Sequence, residues 1–265
     1  MHVIVCIKQV PDSTNVRINP ETNTLMREGV ESILNPFDEY ALEEGLRLRD
    51  AGARLSVVSM GPPQAAAILR EALARGADDA YLLSDRAFAG ADTLATGYAI
   101  SCAIRKIDPS PDLVLFGKQA IDGDTAQVGP GVAEMLGIPL LAYIRELSAG
   151  EDGSFTATVS TDDGEETVEG KFPAVMTVLK EAHAPRFAPL AGAMAARRAK
   201  VTVWSAADVG ADPARCGLNG SPTKVVRIFP PPSKGGALRV DAREDADAAA
   251  AEILRLVKEK GILPQ

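Results

Sequence analysis

The segment best equipped for chemistry in this chain of 265 residues is Gly117 to Pro130, GKQAIDGDTAQVGP. It follows the apolar run Leu113 to Phe116 and opens a stretch of helical spacing. Gly117 permits a tight exit from a strand, while Gly123, Asp124 and Thr125 place small residues and oxygen acceptors at the expected helix start. Backbone N–H groups at such a start, reinforced by the helix dipole, can hold a pyrophosphate. An ordinary capped turn between strand and helix has the same pattern, so position alone leaves both readings open. There is no G-x-x-x-x-G-K-S/T loop, no G-x-G-x-x-G after the first strand, no G-x-S-x-G elbow and no H-E-x-x-H pair. Histidine-based catalysis has only His2 and His183 to draw on. Cys6, Cys102 and Cys216 are scattered and odd in number, against a disulfide framework and against a zinc cluster. The chemistry is therefore expected to belong to a bound cofactor, with no catalytic side chain and no metal.

The elements that must position this loop alternate. Val3 to Ile7, Leu55 to Met60, Ala80 to Leu83 and Leu113 to Phe116 are short apolar runs without polar alternation, as strands covered on both faces are. Between them, Pro36 to Arg49, Gln64 to Arg75, Asp92 to Ile107 and Thr125 to Leu136 have helical spacing. In the first of these, Phe37, Ala41, Leu42, Leu46 and Leu48 form an apolar side, and Glu39, Glu43, Glu44, Arg47 and Arg49 a solvated one. Asn35 stands at the N-cap, with Pro36 at the first helical position. Gly61-Pro62-Pro63, Asp92-Thr93 and Asp124-Thr125 mark further helix starts. The alternation predicts an α/β fold with a doubly wound parallel sheet, whose ligand crevice lies at the carboxyl ends of the strands. Residues 154–169 predict a hairpin turning at Asp162-Asp163-Gly164, followed by a strand from Ala174 to Leu179. After Pro185 come a basic cluster (Arg186, Arg197, Arg198, Lys200), a strand from Val201 to Trp204 and a Pro- and Gly-rich stretch from Asp212 to Gly236. A last amphipathic helix is predicted over Glu244 to Lys260. The expected division is a nucleotide-binding core over 1–190 and a C-terminal arm over 191–265.

Composition narrows the partners. The 28 lysines and arginines against 36 aspartates and glutamates leave a net charge of −8, which disfavours nucleic acid. The apolar stretch Val128 to Ile144 is interrupted by Pro130, Glu134 and Pro139, short of the roughly 20 apolar residues of a membrane span. A soluble, cytoplasmic protein is expected.

Six segments, in order, resemble the β subunit of electron-transfer flavoproteins. They are VIVCIKQVPDS (Val3 to Ser13), LNPFDEYALEE (Leu34 to Glu44), SMGPP (Ser59 to Pro63), DRAFAGADTLAT (Asp85 to Thr96), GKQAIDGDTAQVGP, and APRF (Ala184 to Phe187). The resemblance covers nearly the whole chain. It implies a Rossmann-like core of the adenine-nucleotide hydrolase type, a C-terminal arm that embraces an α subunit, and either structural AMP or a second FAD that accepts hydride from NADH. The nucleotide contacts it implies are Cys6, Asn35, Pro36, Phe37, Asp38, Met60, Gly117, Lys118, Gln119, Ala120, Ile121, Asp122, Gly123, Asp124, Thr125, Ala126, Gln127 and Val128. AMP-holding members resemble A-I-D-D-D-C-N-Q-T, where this chain reads Ala120 to Val128 as AIDGDTAQV; the smaller Gly123 and Ala126 favour the FAD-bearing, electron-bifurcating branch. Its implied electron partners are a ferredoxin or flavodoxin and a dehydrogenase or quinone-linked acceptor.

Arg86 and Asp92 flank the small residues Ala87 to Ala91, suited to a flavin contact or to a capped helix start alike. Ser221 and Thr223 of the GSPT segment suit phosphate or ribose oxygens, or a Ser-Pro turn fixing the arm. Cys6 reads as a small core residue rather than a redox thiol. The stretch Glu181 to Met194 aligns with the family's recognition loop, placing Pro185, Arg186 and an exposed anchor, Leu190, against partner proteins. Arg197 to Lys200 reads as a solvated face that could steer acidic partners. From another class, an ATP-binding regulatory module of the universal-stress type shares the layered core, but its late G-x-x-G phosphate motif is not evident.

Overall fold

The computed structural model describes residues 1–12, 17–18, 25–26, 32–227, 242–243 and 245–262; Ser13, Pro230, Gly236 and Glu244 lie outside them. The elements run β1 (His2–Cys6), β2 (Gln9–Pro11), β3 (Arg17–Ile18), β4 (Leu25–Met26), β5 (Ser32–Leu34), α1 (Pro36–Asp50), β6 (Arg54–Met60), α2 (Ala66–Arg75), β7 (Asp79–Leu83), α3 (Thr93–Ile107), β8 (Leu113–Gly117) and α4 (Val128–Leu136). They continue as β9 (Leu140–Ala149), β10 (Ser154–Thr161), β11 (Gly164–Lys171), β12 (Ala174–Val178), α5 (Leu190–Ala196), β13 (Thr202–Trp204) and α6 (Ala246–Glu259). One sheet carries the order β11-β10-β9-β12-β8-β1-β6-β7-β13. Strands β12 through β13 in that order, together with the β9–β12 pair, are parallel; β9, β10 and β11 pair antiparallel.

Within it, β7-β6-β1-β8-β12 is the third-second-first-fourth-fifth order of a doubly wound fold. The winding reverses between β1 and β8, so the connections leaving them turn to opposite faces of the sheet, the arrangement that leaves a ligand crevice at such a switch point. Both faces are covered, as the apolar runs require: Val3, Val5, Leu113 and Leu115 pack on the α1 and α2 side, and Ile4, Cys6, Val114 and Phe116 on the α3 and α4 side.

Several boundaries depart from the sequence reading. Helix α4 starts at Val128, not Thr125, because Asp124 (φ 49) and Ala126 (φ 55) have left-handed backbone that a helix cannot continue. The apolar stretch 128–144 divides at Gly137, which caps α4 with φ 72 before β9 begins. Glu43 and Glu44 are buried rather than solvated, at 6% and 1% exposure, for a reason that lies in the 181–190 loop. The antiparallel hairpin turns at the expected residues, with Gly164 at φ 142.

Strand β13 extends the sheet beside β7, with Trp204 stacked on Tyr81 at 4.6 Å. The first compact unit runs Met1–Val226, and the remainder forms a second, smaller unit. In that second unit α6 is capped by Asp245, whose carboxylate accepts from the Ala248 N–H at 2.9 Å. Among the described residues no helix is long and apolar enough to cross a membrane.

Candidate functional site

The crevice is built where β1 and β8 end side by side, with Cys6 opposite Phe116. The Asp38 carboxylate, 6% exposed, closes its floor. One oxygen accepts the Lys8 N–H at 2.7 Å, and the Gly117 N–H also bonds this group. A single buried carboxylate thereby ties together the first residues leaving the two central strands. Gly117 is required by this approach: a Cβ there would lie 2.4 Å from Asp38 Oδ1 and 2.5 Å from the Phe37 carbonyl carbon. Burial pushes the Asp38 carboxyl up to about 7 against its hydrogen bonds. Burial, with Asp38 adding to it, also raises the Cys6 thiol well above its ordinary range, which suits a packing residue and not a thiolate.

Asn35 occupies the N-cap position of α1 but does not cap it with its side chain. Instead its amide reaches across the crevice, donating to Gln119 O at 2.8 Å and accepting from the Ile121 N–H at 3.2 Å. The loop after β8 is thus latched to the start of α1. Its far side is fixed by the Lys8 ammonium on both Asp122 oxygens, at 2.6 and 2.8 Å, and by Gln119 Nε2 on Asp124 Oδ1 at 2.8 Å. Lys8 lies within the VIVCIKQVPDS segment but nothing in the sequence singles it out; the structure brings its ammonium onto this loop.

Beyond Asp124 the loop changes character. Ala126 is left-handed and Gln127 right-handed (φ −106, ψ −11), so the N–H groups that follow turn toward one point. Among the described residues none of the N–H groups of Thr125, Ala126, Gln127 and Val128 donates to a protein acceptor. Successive unpaired N–H groups in this conformation, at the start of a helix, form an anion-binding concavity. Gly123 faces open space, with no atom within 4 Å of the point a Cβ would occupy. The donor set fits the phosphates of a nucleotide: it offers N–H groups and helix dipole, with Lys118 at the loop's entrance.

Met60 ends β6, the strand next to β1. Farther along the chain, after β7, Asp92, Ser221 and Thr223 form a separate cluster. There Asp92 caps α3 through Leu94 N–H and Ala95 N–H, at 3.0 and 3.1 Å. Its other oxygen accepts Thr223 N–H and Oγ1–H at 3.1 and 2.9 Å, while the Asp92 N–H donates to Ser221 Oγ at 2.8 Å. Ser221 also donates to Gly217 O at 2.7 Å. Both hydroxyls therefore act within a clasp that holds 217–223 onto 87–92. The Arg86 side chain is exposed.

The 181–190 loop is anchored through α1. Arg186 donates to Glu43 through Nε and Nη2 at 2.8–3.0 Å and to Asp50 Oδ2 at 2.7 Å, and its N–H also bonds Glu43. His183 Nδ1 lies 3.1 Å from Glu44 Oε2. Arg186, distant in sequence, satisfies the buried Glu43, while Glu44 is held by His183 and by Arg47 of its own helix at 3.2 Å. Arg186 and Pro185 are half-buried, whereas Leu190 is 78% exposed and Phe187 94%. Phe187 and Met194 (63%) lie in the stretch that resembles the recognition loop, but residue type alone does not single them out as exposed beside Leu190.

The profile of the electron transfer flavoprotein domain matches residues 22–209. The chain is 46% identical to the caffeyl-CoA reductase–Etf complex subunit CarD of Acetobacterium woodii, over 99% of this chain and all of the relative. It is 47% identical to the electron transfer flavoprotein subunit beta of Megasphaera elsdenii, over 94% of each chain. It is also 47% identical to the protein FixA of Azorhizobium caulinodans, over 96% of this chain and 94% of that one. With a doubly wound sheet, a loop of free N–H groups at its switch point and relatives that match it along its length, the chain belongs to the β-subunit family of electron transfer flavoproteins.

Proposed function

We propose that this chain, paired with an electron transfer flavoprotein α subunit, holds an FAD whose diphosphate lies on the N–H groups of residues 125–128. The observation that carries this reading is the unpaired run of N–H groups ahead of α4, shaped by the left-handed Asp124 and Ala126. FAD bound there supplies the redox chemistry: hydride from NADH in, single electrons out to a ferredoxin or flavodoxin and to the FAD of the α subunit. The chain's own residues position it. Asp38 and Asn35 hold the loop rigid, Lys8 neutralises Asp122, and the buried Cys6 thiol packs beneath without taking part. The exposed Phe187, Leu190 and Met194 form the face for a dehydrogenase or quinone-linked acceptor; similarity to a subunit of a CoA-thioester reductase complex supports a partner of that class.

Denaturing the purified αβ heterodimer and quantifying the released nucleotides tests the reading. Two equivalents of FAD and no AMP are expected. One FAD with one AMP would assign the chain to the conventional carriers that collect electrons from acyl-CoA dehydrogenases. The open space at Gly123 favours the larger ligand.

A further inference from the structure

Tyr143 has the third left-handed backbone among the described non-glycine residues, with φ 64; the other two are Asp124 and Ala126 of the loop after β8. A bulky residue there is an outlier that the surroundings must enforce. The enforcement is visible. Strand β9 carries a bulge against β12, where Met176 pairs Leu141 but Val178 pairs Ile144. The Tyr143 N–H, displaced from the ladder, donates to Thr177 Oγ1 at 2.9 Å. Thr177 is 2% exposed, and its methyl would touch any side chain at Gly129 in the first turn of α4, at 3.0 Å. Bulges of this kind re-aim side chains next to functional sites.

What the bulge aims is a ring under a cation. Lys118 Nζ lies 5.3 Å from the centre of the Tyr143 ring, which remains 39% exposed. Lys118 is half-buried, begins the loop after β8, and is tethered by its N–H to Val178 O at 2.9 Å. Among the described residues it has no carboxylate partner, in contrast to Lys8, which is paired with Asp122. A half-buried lysine without a carboxylate partner among the described residues, in the same loop as the unpaired N–H groups of 125–128, lacks an anion. We infer that Tyr143 is a positioning residue for the nucleotide: its ring holds the Lys118 ammonium where the diphosphate binds. This rests on the nucleotide reading above and adds to it a residue from outside the loop.

The test measures binding of ADP and of adenosine to the αβ heterodimer from which this subunit's nucleotide has been removed, at low and high salt. Lys118→Gln is expected to weaken ADP about tenfold and leave adenosine unchanged. Tyr143→Leu should weaken ADP about three- to fivefold and flatten its salt dependence, again sparing adenosine. Tyr143→Phe keeps the ring and should match wild type within about twofold. Tyr143→Gly relieves the backbone while removing the ring, so it should fold at least as well as wild type yet bind ADP like the leucine variant. In the Lys118→Gln background Tyr143→Leu should add nothing. Loss of ADP and adenosine alike, or a Tyr143→Leu loss that persists without Lys118, would overturn the proposal and leave the nucleotide reading intact. A wild-type heterodimer that binds no ADP at all would overturn both.

Discussion

Asp38 and Gly117 hold the floor of the crevice by contact between two residues far apart in the chain. Gly117→Ala would drive a methyl into the Phe37 backbone and the Asp38 carboxylate, neither of which can move without releasing a central strand end. The expected loss is about 2–3 kcal/mol of stability, read as a lower midpoint in denaturant, together with weakened nucleotide binding. Asp38 makes a separate prediction about pH. Burial raises its carboxyl to about 7 in the folded protein, against about 4 in the unfolded chain. Between those values the folded protein keeps a proton that the unfolded chain has lost, so stability falls as pH rises through the window and levels off above it. Asp38→Asn should remove that fall, on the order of 2–4 kcal/mol, in denaturation series from pH 4.5 to 8. An equally steep fall in the variant would assign the dependence to other groups.

Helix α1 serves two ends of the molecule, holding the loop after β8 at Asn35 and Asp38 and the 181–190 loop at Glu43, Glu44 and Asp50. Nothing in its helical spacing distinguishes Glu43 from a solvated glutamate, because the arginine that buries it comes from residue 186. Arg186→Leu would strand the Glu43 carboxylate away from water, with an expected loss of about 2–4 kcal/mol. Adding Glu43→Leu should recover most of that stability in thermal denaturation. If the double variant is no better than the single one, the pair contributes specific attraction beyond relief of a buried charge. The exposed Phe187, Leu190 and Met194 would lose their fixed presentation in Arg186→Leu, so partner affinity should fall even where the fold survives. By contrast Asp92, which the sequence leaves open between a helix cap and a flavin contact, has its oxygens occupied by α3 and Thr223, and Ser221 and Thr223 serve the same clasp.

For the whole molecule, Met1–Val226 forms one compact unit and the residues after it a second, smaller one. The first unit closes its own sheet and clasps 217–223 onto 87–92, so removing residues beyond about Pro230 should weaken α-subunit association more than it lowers core stability. Parallel measurement of heterodimer dissociation and of the unfolding midpoint checks this; equal losses in both would contradict it. The sequence by itself determined the doubly wound class and the loop that stands after the fourth core strand, because apolar runs and helix starts are local signals; that residue 117 must be glycine came from the approach of Phe37 and Asp38. Only tertiary structure decided that Asn35 latches the loop instead of capping its helix, that helix α4 starts late, that Glu43 and Glu44 are buried, and that Tyr143 faces Lys118. The late start of α4 follows from the left-handed backbone at Asp124 and Ala126; the others depend on partners many residues away, brought into reach by the fold, where local propensity yields to contacts that no window of sequence contains.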